Sequence, residues 1–165
     1  MSNIRLGGVY TVTAHSADGT PLWSEEFHNG TTGEGLDLAL DVTFRSASAS
    51  ASWYVGLIDS SGFTGLSFAD TAAAHAGWTE FTNYTEGTRQ AWSAGAPVSG
   101  VISNSTQAVF TATTSASIRG VFIINENTKG GTTGTLFSTG LLPAVRALSV
   151  TDTISVTYSL GISGG

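Results

Sequence analysis

Residues 53–59, Trp-Tyr-Val-Gly-Leu-Ile-Asp, constrain what this chain can fold into more than any other stretch. Read with a two-residue period, Trp53, Val55 and Leu57 share one face, and Tyr54, Gly56 and Ile58 share the other. A strand that is apolar on both faces has to be covered on both sides, which places it centrally in a β-core. The tract before it, 46–52, alternates Ser and Ala. The segment after it, 60–77, is long for a connection inside a compact domain; such loops usually bind something or pack against a neighbour.

The rest of the chain alternates in the same way. Residues 8–15 and 22–27 flank Asp18-Gly19, a turn signal, and read as a β-hairpin covering 8–27. Leu36, Leu40 and Phe44 lie at helical spacing, with Thr32 as a cap and Glu34 near the start. That predicts one short helix over 33–44, plugging one end or face of the core through this stripe. Residues 70–75 are expected to form a single helical turn. Shorter strands are expected at 78–81, 88–92 and 101–102, and 108–112 is expected to pair with 117–124 across a turn. Further strands follow at 135–139, 145–150 and 153–162, and the Gly-rich segment 125–134 reads as the clearest flexible loop. Many short strands with Gly-rich turns, no fixed-period repeat and no linker predict an all-β fold: a single-domain antiparallel β-sandwich, jelly-roll-like, spanning 1–165 with one short helix.

Composition narrows the function classes. Charged residues make up 11% of the chain, against about 25% in an ordinary domain. Ser, Thr and Gly take their place, giving a surface that loses little charge solvation on contact. The net charge of −6 and the scattered basic residues argue against a sequence-independent hold on nucleic acid. No run approaches the ~18 apolar residues of a membrane span, and the first eight residues have no apolar h-region, so synthesis in the cytoplasm is expected. The absence of cysteine excludes a disulfide framework or a thiolate site.

No set of residues signals a reaction. His15, His28 and His75 share no metal-ligand spacing. Gly-x-Ser-x-Gly occurs at 161–165, at the end of a strand-like run where no helix is expected to follow the serine. Residues 129–134 resemble a phosphate loop in composition alone, lacking Gly-Lys-Ser/Thr in order. Glu25 and Glu26 point to opposite faces of a strand, and Asp59 and Asp70 flank a loop where Asp ordinarily caps turns. The chain is therefore read as a non-enzyme without cofactor or metal. Aromatic residues gather around the long loop, and Trp53, Trp78 and Trp92 fit either a large core or a stacking platform and interface anchor.

Tyr54-Val55-Gly56-Leu57-Ile58, Asp70-Thr71, His75-Ala76-Gly77-Trp78-Thr79-Glu80, Thr88-Arg89, Gly120-Val121-Phe122, residues 129–136 and residues 152–158 together resemble a family of small tailed-bacteriophage virion proteins. The resemblance covers most of the chain, and its motifs are structural. It implies a virion structural protein, with capsid decoration (cement) as the preferred role and a glycan-binding tail or fibre component as the alternative. The implied partners are the major capsid protein and further copies of the chain, as a dimer or trimer with the trimer slightly preferred, on the capsid surface. The surfaces proposed to meet them are the loops 60–77 and 125–134 and the N-terminal arm 1–8. Interface candidates are Phe63, Phe68, His75, Trp78, Trp92, Asn127 and Lys129.

Overall fold

The structure, a computed structural model, describes residues 4–164. The chain runs β1 (Ile4–His15), β2 (Pro21–Thr31), α1 (Gly33–Phe44), β3 (Tyr54–Asp59), β4 (Glu80–Phe81), β5 (Gln90–Ala91), β6 (Val101–Ser103), β7 (Ala108–Thr111), β8 (Ala116–Ile124), β9 (Leu136–Leu148) and β10 (Thr153–Gly164). The strands pair antiparallel in the order β4-β3-β8-β9-β2-β1-β10-β6, with β5 also on β3 and β7 also on β10. The fold is the expected all-β sandwich with one short helix. Its two layers are joined by β2, whose residues up to His28 pair with β1 while Asn29–Thr31 pair with β9. A strand that changes sheets in this way makes the corner of a sandwich.

β3 has the two apolar environments that its sequence demands. Val55 and Leu57 enter the core between the layers, with Tyr10, Val12, Val121, Ile123, Val156 and Tyr158. Ile58 lies in a second cluster on the outer face with Phe122, Ile124, Leu136, Ala72 and Trp78. The residues covering that outer face, Ala72 and Trp78, come from the end of the connection that β3 itself launches. Gly56 is required between them, because a Cβ there would collide with the Phe122 ring. β8 flanks β3 along its whole length, and the two-residue strands β4 and β5 share its other edge.

The hairpin forms as expected and is longer than its pattern. Of the proposed N-terminal arm, residues 1–3 lie outside the described residues, and from Ile4 onward the chain is strand paired with β10. The turn closes through Ser16 N–H on the Thr20 carbonyl at 2.9 Å, with Gly19 at φ +85°. Asp18 Oδ1 accepts from Thr20 N–H at 3.0 Å and from the Ser16 hydroxyl at 2.5 Å. Residues 70–75 make one turn, closed by Ala74 N–H on the Thr71 carbonyl at 3.2 Å, with no helix.

Three expectations are corrected. β7 and β8 do not pair: β7 lies on β10, and the chain crosses to the other layer, where β8 lies between β3 and β9. Residues 135–139 and 145–150 are not two strands, since β9 runs through from Leu136 to Leu148. Its ladder with β8 breaks between Leu141 and Arg146, opposite Ile118–Gly120. Pro143, which has no N–H to give, sits in that bulge, and the Arg119 guanidinium donates to the Leu142 carbonyl there.

The third correction concerns α1. Its bounds and its Thr32 cap are as expected, the hydroxyl accepting from Gly35 N–H at 3.1 Å. Its orientation is not. The helix sits on β9 through Gly35, where a Cβ would run into the Phe137 carbonyl, and through Leu38, Ala39 and Val42, which border a small hollow with Trp53 and Phe137. The stripe expected to plug the core points outward instead: Leu40 is 56% and Phe44 77% exposed. Close approach of helix to strand needs a residue without a side chain, and Gly35 is on the opposite face from that stripe.

Candidate functional site

The two long loops named as interaction surfaces are each fastened by a buried polar group. In the first, the Asp70 carboxylate is almost sealed from water. Its Oδ2 accepts from Trp78 Nε1–H at 2.9 Å and from Ser67 N–H at 2.9 Å. The His75 ring stacks on the Trp78 indole at 4.0 Å between centroids, with its Nδ1 3.0 Å from the Trp78 carbonyl. Trp78 rests on Phe122 in turn, at 5.2 Å. Glu34, in the first turn of α1, accepts from Ala72 N–H at 3.0 Å and from Leu136 N–H at 2.5 Å, tying loop, helix and β9 together.

The second loop, 125–134, wraps around Arg89. That guanidinium is buried, holds both oxygens of Glu80, and donates to the carbonyls of Glu126 and Gly131, each at 2.8 Å. Arg89 N–H reaches the Asn127 carbonyl at 2.9 Å, and Gly130 N–H reaches Glu80 Oε2 at 2.8 Å. Lys129 Nζ donates to the Tyr84 and Glu86 carbonyls at 2.9 and 2.8 Å and lies 4.2 Å from the Tyr84 ring centre. The expectation of a flexible loop is corrected accordingly: in a segment this rich in glycine, order comes from distant charged anchors that supply what the local chain lacks. Burial, with Glu80 nearby, pushes the Tyr84 phenol well above its usual range.

The interface candidates thus divide. Phe68 is 66% exposed, and the Asn127 side chain is exposed. Phe63 is half-buried against the outer cluster beneath the Arg119 guanidinium, and His75 and Lys129 are half-buried in the contacts described above. Trp78 and Trp92 are buried in different clusters and form no common platform. Trp92 Nε1–H donates to the Tyr158 carbonyl at 3.0 Å, so its polar edge is satisfied inside the core. The anchors Arg89, Glu80 and Glu34 escaped sequence reasoning. For Arg89 and Glu80 the one local signal is rarity, a charged residue inside a strand-like piece of a chain that uses few; Glu34 reads locally as a helix-start residue alone.

Among the described residues, no group of three or more His, Asp or Glu is placed to hold a metal ion. His75, Glu80 and Arg89 border one shared hollow, but it measures about 10 Å³, room for a single water at most. Larger hollows are open grooves. One of about 470 Å³ runs between Trp53, Tyr54, Trp92, Ser50, Ser93 and Ile102. Another of about 350 Å³ lies where β2 leaves β9, bordered by His28, Thr31, Leu66, Phe68, Thr139 and Leu141. What these arrangements offer chemically is two loops fastened by buried polar groups beside open, weakly charged grooves. No family model matches the chain, and no curated protein matches its sequence.

Proposed function

We propose that this chain is a structural protein of a tailed-bacteriophage virion, and specifically a capsid decoration (cement) protein that binds the assembled head and stabilises it. The observation that carries this reading is the fastening of both long loops, 60–77 by Asp70 and 125–134 by Arg89. Loops held rigid before contact lose little conformational entropy when they dock, which suits attachment of many identical copies to a preformed shell. The low charge of the exterior supports the same reading, since desolvating it costs little. The major capsid protein is the partner, and the capsid surface the location.

Gentle disruption of the virions that carry this protein provides the test. The protein should stay with DNA-filled heads and dissociate as their expansion or integrity is lost; recovery with tails alone would overturn the proposal. The glycan-binding tail reading keeps one specific support, the groove beside Trp53 and Tyr54, where half-buried aromatic rings adjoin serine hydroxyls. Binding on a glycan array that Trp53→Ala abolishes, with the far-ultraviolet circular dichroism unchanged, would favour it over decoration.

A further inference from the structure

We infer that α1 is a self-association element, pairing antiparallel with α1 of a second copy about a two-fold axis through Leu40. The inference rests on the virion reading only through the self-association, as dimer or trimer, that the sequence resemblance implies, and it involves no contact with the shell.

It starts from the face that α1 turns outward. Gly33, Leu36, Leu40 and Phe44 follow one another at spacings of three and four and so lie along one side of the helix. A Cβ on Gly33 would point at the Phe68 ring, so that ring extends the stripe by one turn at the N-terminal end. Phe44, Phe68 and Leu40 are 77%, 66% and 56% exposed. Scattered exposed apolar residues are ordinary, whereas a contiguous row marks a contact surface.

The row is self-complementary when reversed. Eight residues separate Leu36 from Phe44, about 12 Å of helix. With a two-fold axis at Leu40, each Leu40 meets its counterpart, and each Phe44 meets Leu36 of the other copy with that copy's Phe68 one turn beyond. The flanking charges agree. Asp37, Asp41 and Arg45 lie along one flank of the stripe, and Arg45 already pairs with Asp41 at 3.2 Å, with a largely exposed side chain. A two-fold axis of this kind puts the same flank of both helices on one side, so each Arg45 comes within about 3 Å, along the helix axis, of the level of Asp37 of the second copy. Antiparallel helices also set their dipoles in opposition, which favours this direction over the parallel one.

The size of the row sets the strength. Two phenyl rings at on the order of 150 Å² each, plus Leu40, offer several hundred Å² per copy. That falls short of the ~800 Å² per partner of a standard stable interface. The result is a dissociable dimer, assembled with rising concentration or with local crowding on a lattice.

The chain has no cysteine, so a single Leu40→Cys substitution gives a clean readout. Expected are a concentration-dependent dimer of the wild-type chain in sedimentation velocity, rapid disulfide-linked dimer from L40C on mild oxidation, and none from Thr20→Cys at the hairpin tip. Phe44→Asp should give monomers with an unchanged far-ultraviolet spectrum. A wild-type chain that stays monomeric well above micromolar concentration would overturn the inference. So would a dimer or trimer that F44D leaves intact and L40C fails to cross-link. A monomer whose binding to isolated heads or to phospholipid vesicles is lost in F44D would overturn it too, by giving the stripe another occupant. Head attachment of wild type is measured separately, so failure of the dimer and failure of the virion reading are distinguishable.

Discussion

Arg89 and Glu80 form a bidentate ion pair, with Nε to Oε1 at 3.0 Å and Nη2 to Oε2 at 2.7 Å, and both side chains are almost sealed from water. The guanidinium also lies 5.3 Å from the centre of the Phe122 ring. The pair therefore joins the outer cluster of the sandwich to the loop 125–134. Isolating either charge by truncating the other leaves it buried and unpaired, which typically costs about 3–5 kcal/mol. Arg89→Met should lower stability by about that amount in urea denaturation and speed hydrogen exchange at residues 126–131. The double variant Arg89→Met, Glu80→Leu should cost less than the sum of the single changes. Deleting residues 126–133 removes three carbonyl acceptors of Arg89, two for the guanidinium and one for the backbone N–H, along with the loop, so its effect on folding should be as large as any effect on attachment. Unchanged exchange at 126–131 in R89M would refute the anchoring role.

Trp78 tests whether the first loop is a lid on β3. Trp78→Ala empties the space against Ile58 and Phe122 and should cost about 3–5 kcal/mol. Trp78→Phe keeps most of the packing and removes the donor to Asp70, leaving a nearly buried carboxylate with Ser67 N–H as its remaining close donor. A loss of about 1–3 kcal/mol is expected there. Equal stability of W78F and wild type, measured by denaturation, would show that the Asp70 contact contributes nothing. Since W78A is expected to perturb the fold, loss of ligand binding in that variant alone says nothing about a glycan platform.

What was legible in the chain follows from the range of the interaction concerned. The period of two marks β1, β2, β3, β8 and β10, because each strand's alternation is local. The bounds of α1 were readable from Thr32 and from the spacing of its leucines. Its orientation was not, because Leu38, Ala39 and Val42 make a second apolar face, and the close approach of Gly35 to β9 decides between them. Neighbouring strands usually pair, which misplaces β7 and β8 where the chain crosses between layers. The Arg89 anchor had no local pattern at all: its partners Glu80, Glu126 and Gly131 are 9, 37 and 42 residues away.

Gly35 sets two effects of opposite sign against each other. Inside a helix, Ala is favoured over Gly by up to about 1 kcal/mol. At this position the added Cβ would overlap the backbone of Phe137, which cannot rotate away as a flexible side chain could. Overpacking of this kind costs roughly 1–3 kcal/mol. Gly35→Ala should therefore destabilise the fold in spite of its better propensity, while Thr43→Ala, on an exposed position of the same helix, should be neutral or slightly stabilising. A denaturation midpoint raised by G35A would mean that α1 does not lie on β9 as described.

The hairpin turn supplies a prediction about pH. The Ser16 hydroxyl and then the Thr20 backbone N–H hold the Asp18 carboxylate, lowering its pKa from the ordinary 3.8 to about 2. A group depressed on folding adds stability that is fully present above its unfolded value and lost as pH falls through its folded value. The contribution of this turn should therefore be constant above about pH 4 and fade between the two values just given. Ser16→Ala removes the largest cause and should move the Asp18 titration, followed by carboxyl-carbon nuclear magnetic resonance, up toward 3.8. The stability difference between wild type and Asp18→Asn should shrink over the same interval. A wild-type midpoint already near the ordinary value would mean that the turn's hydrogen bonds do not persist in solution. The register that this turn sets between β1 and β2 would then rest on side-chain alternation alone.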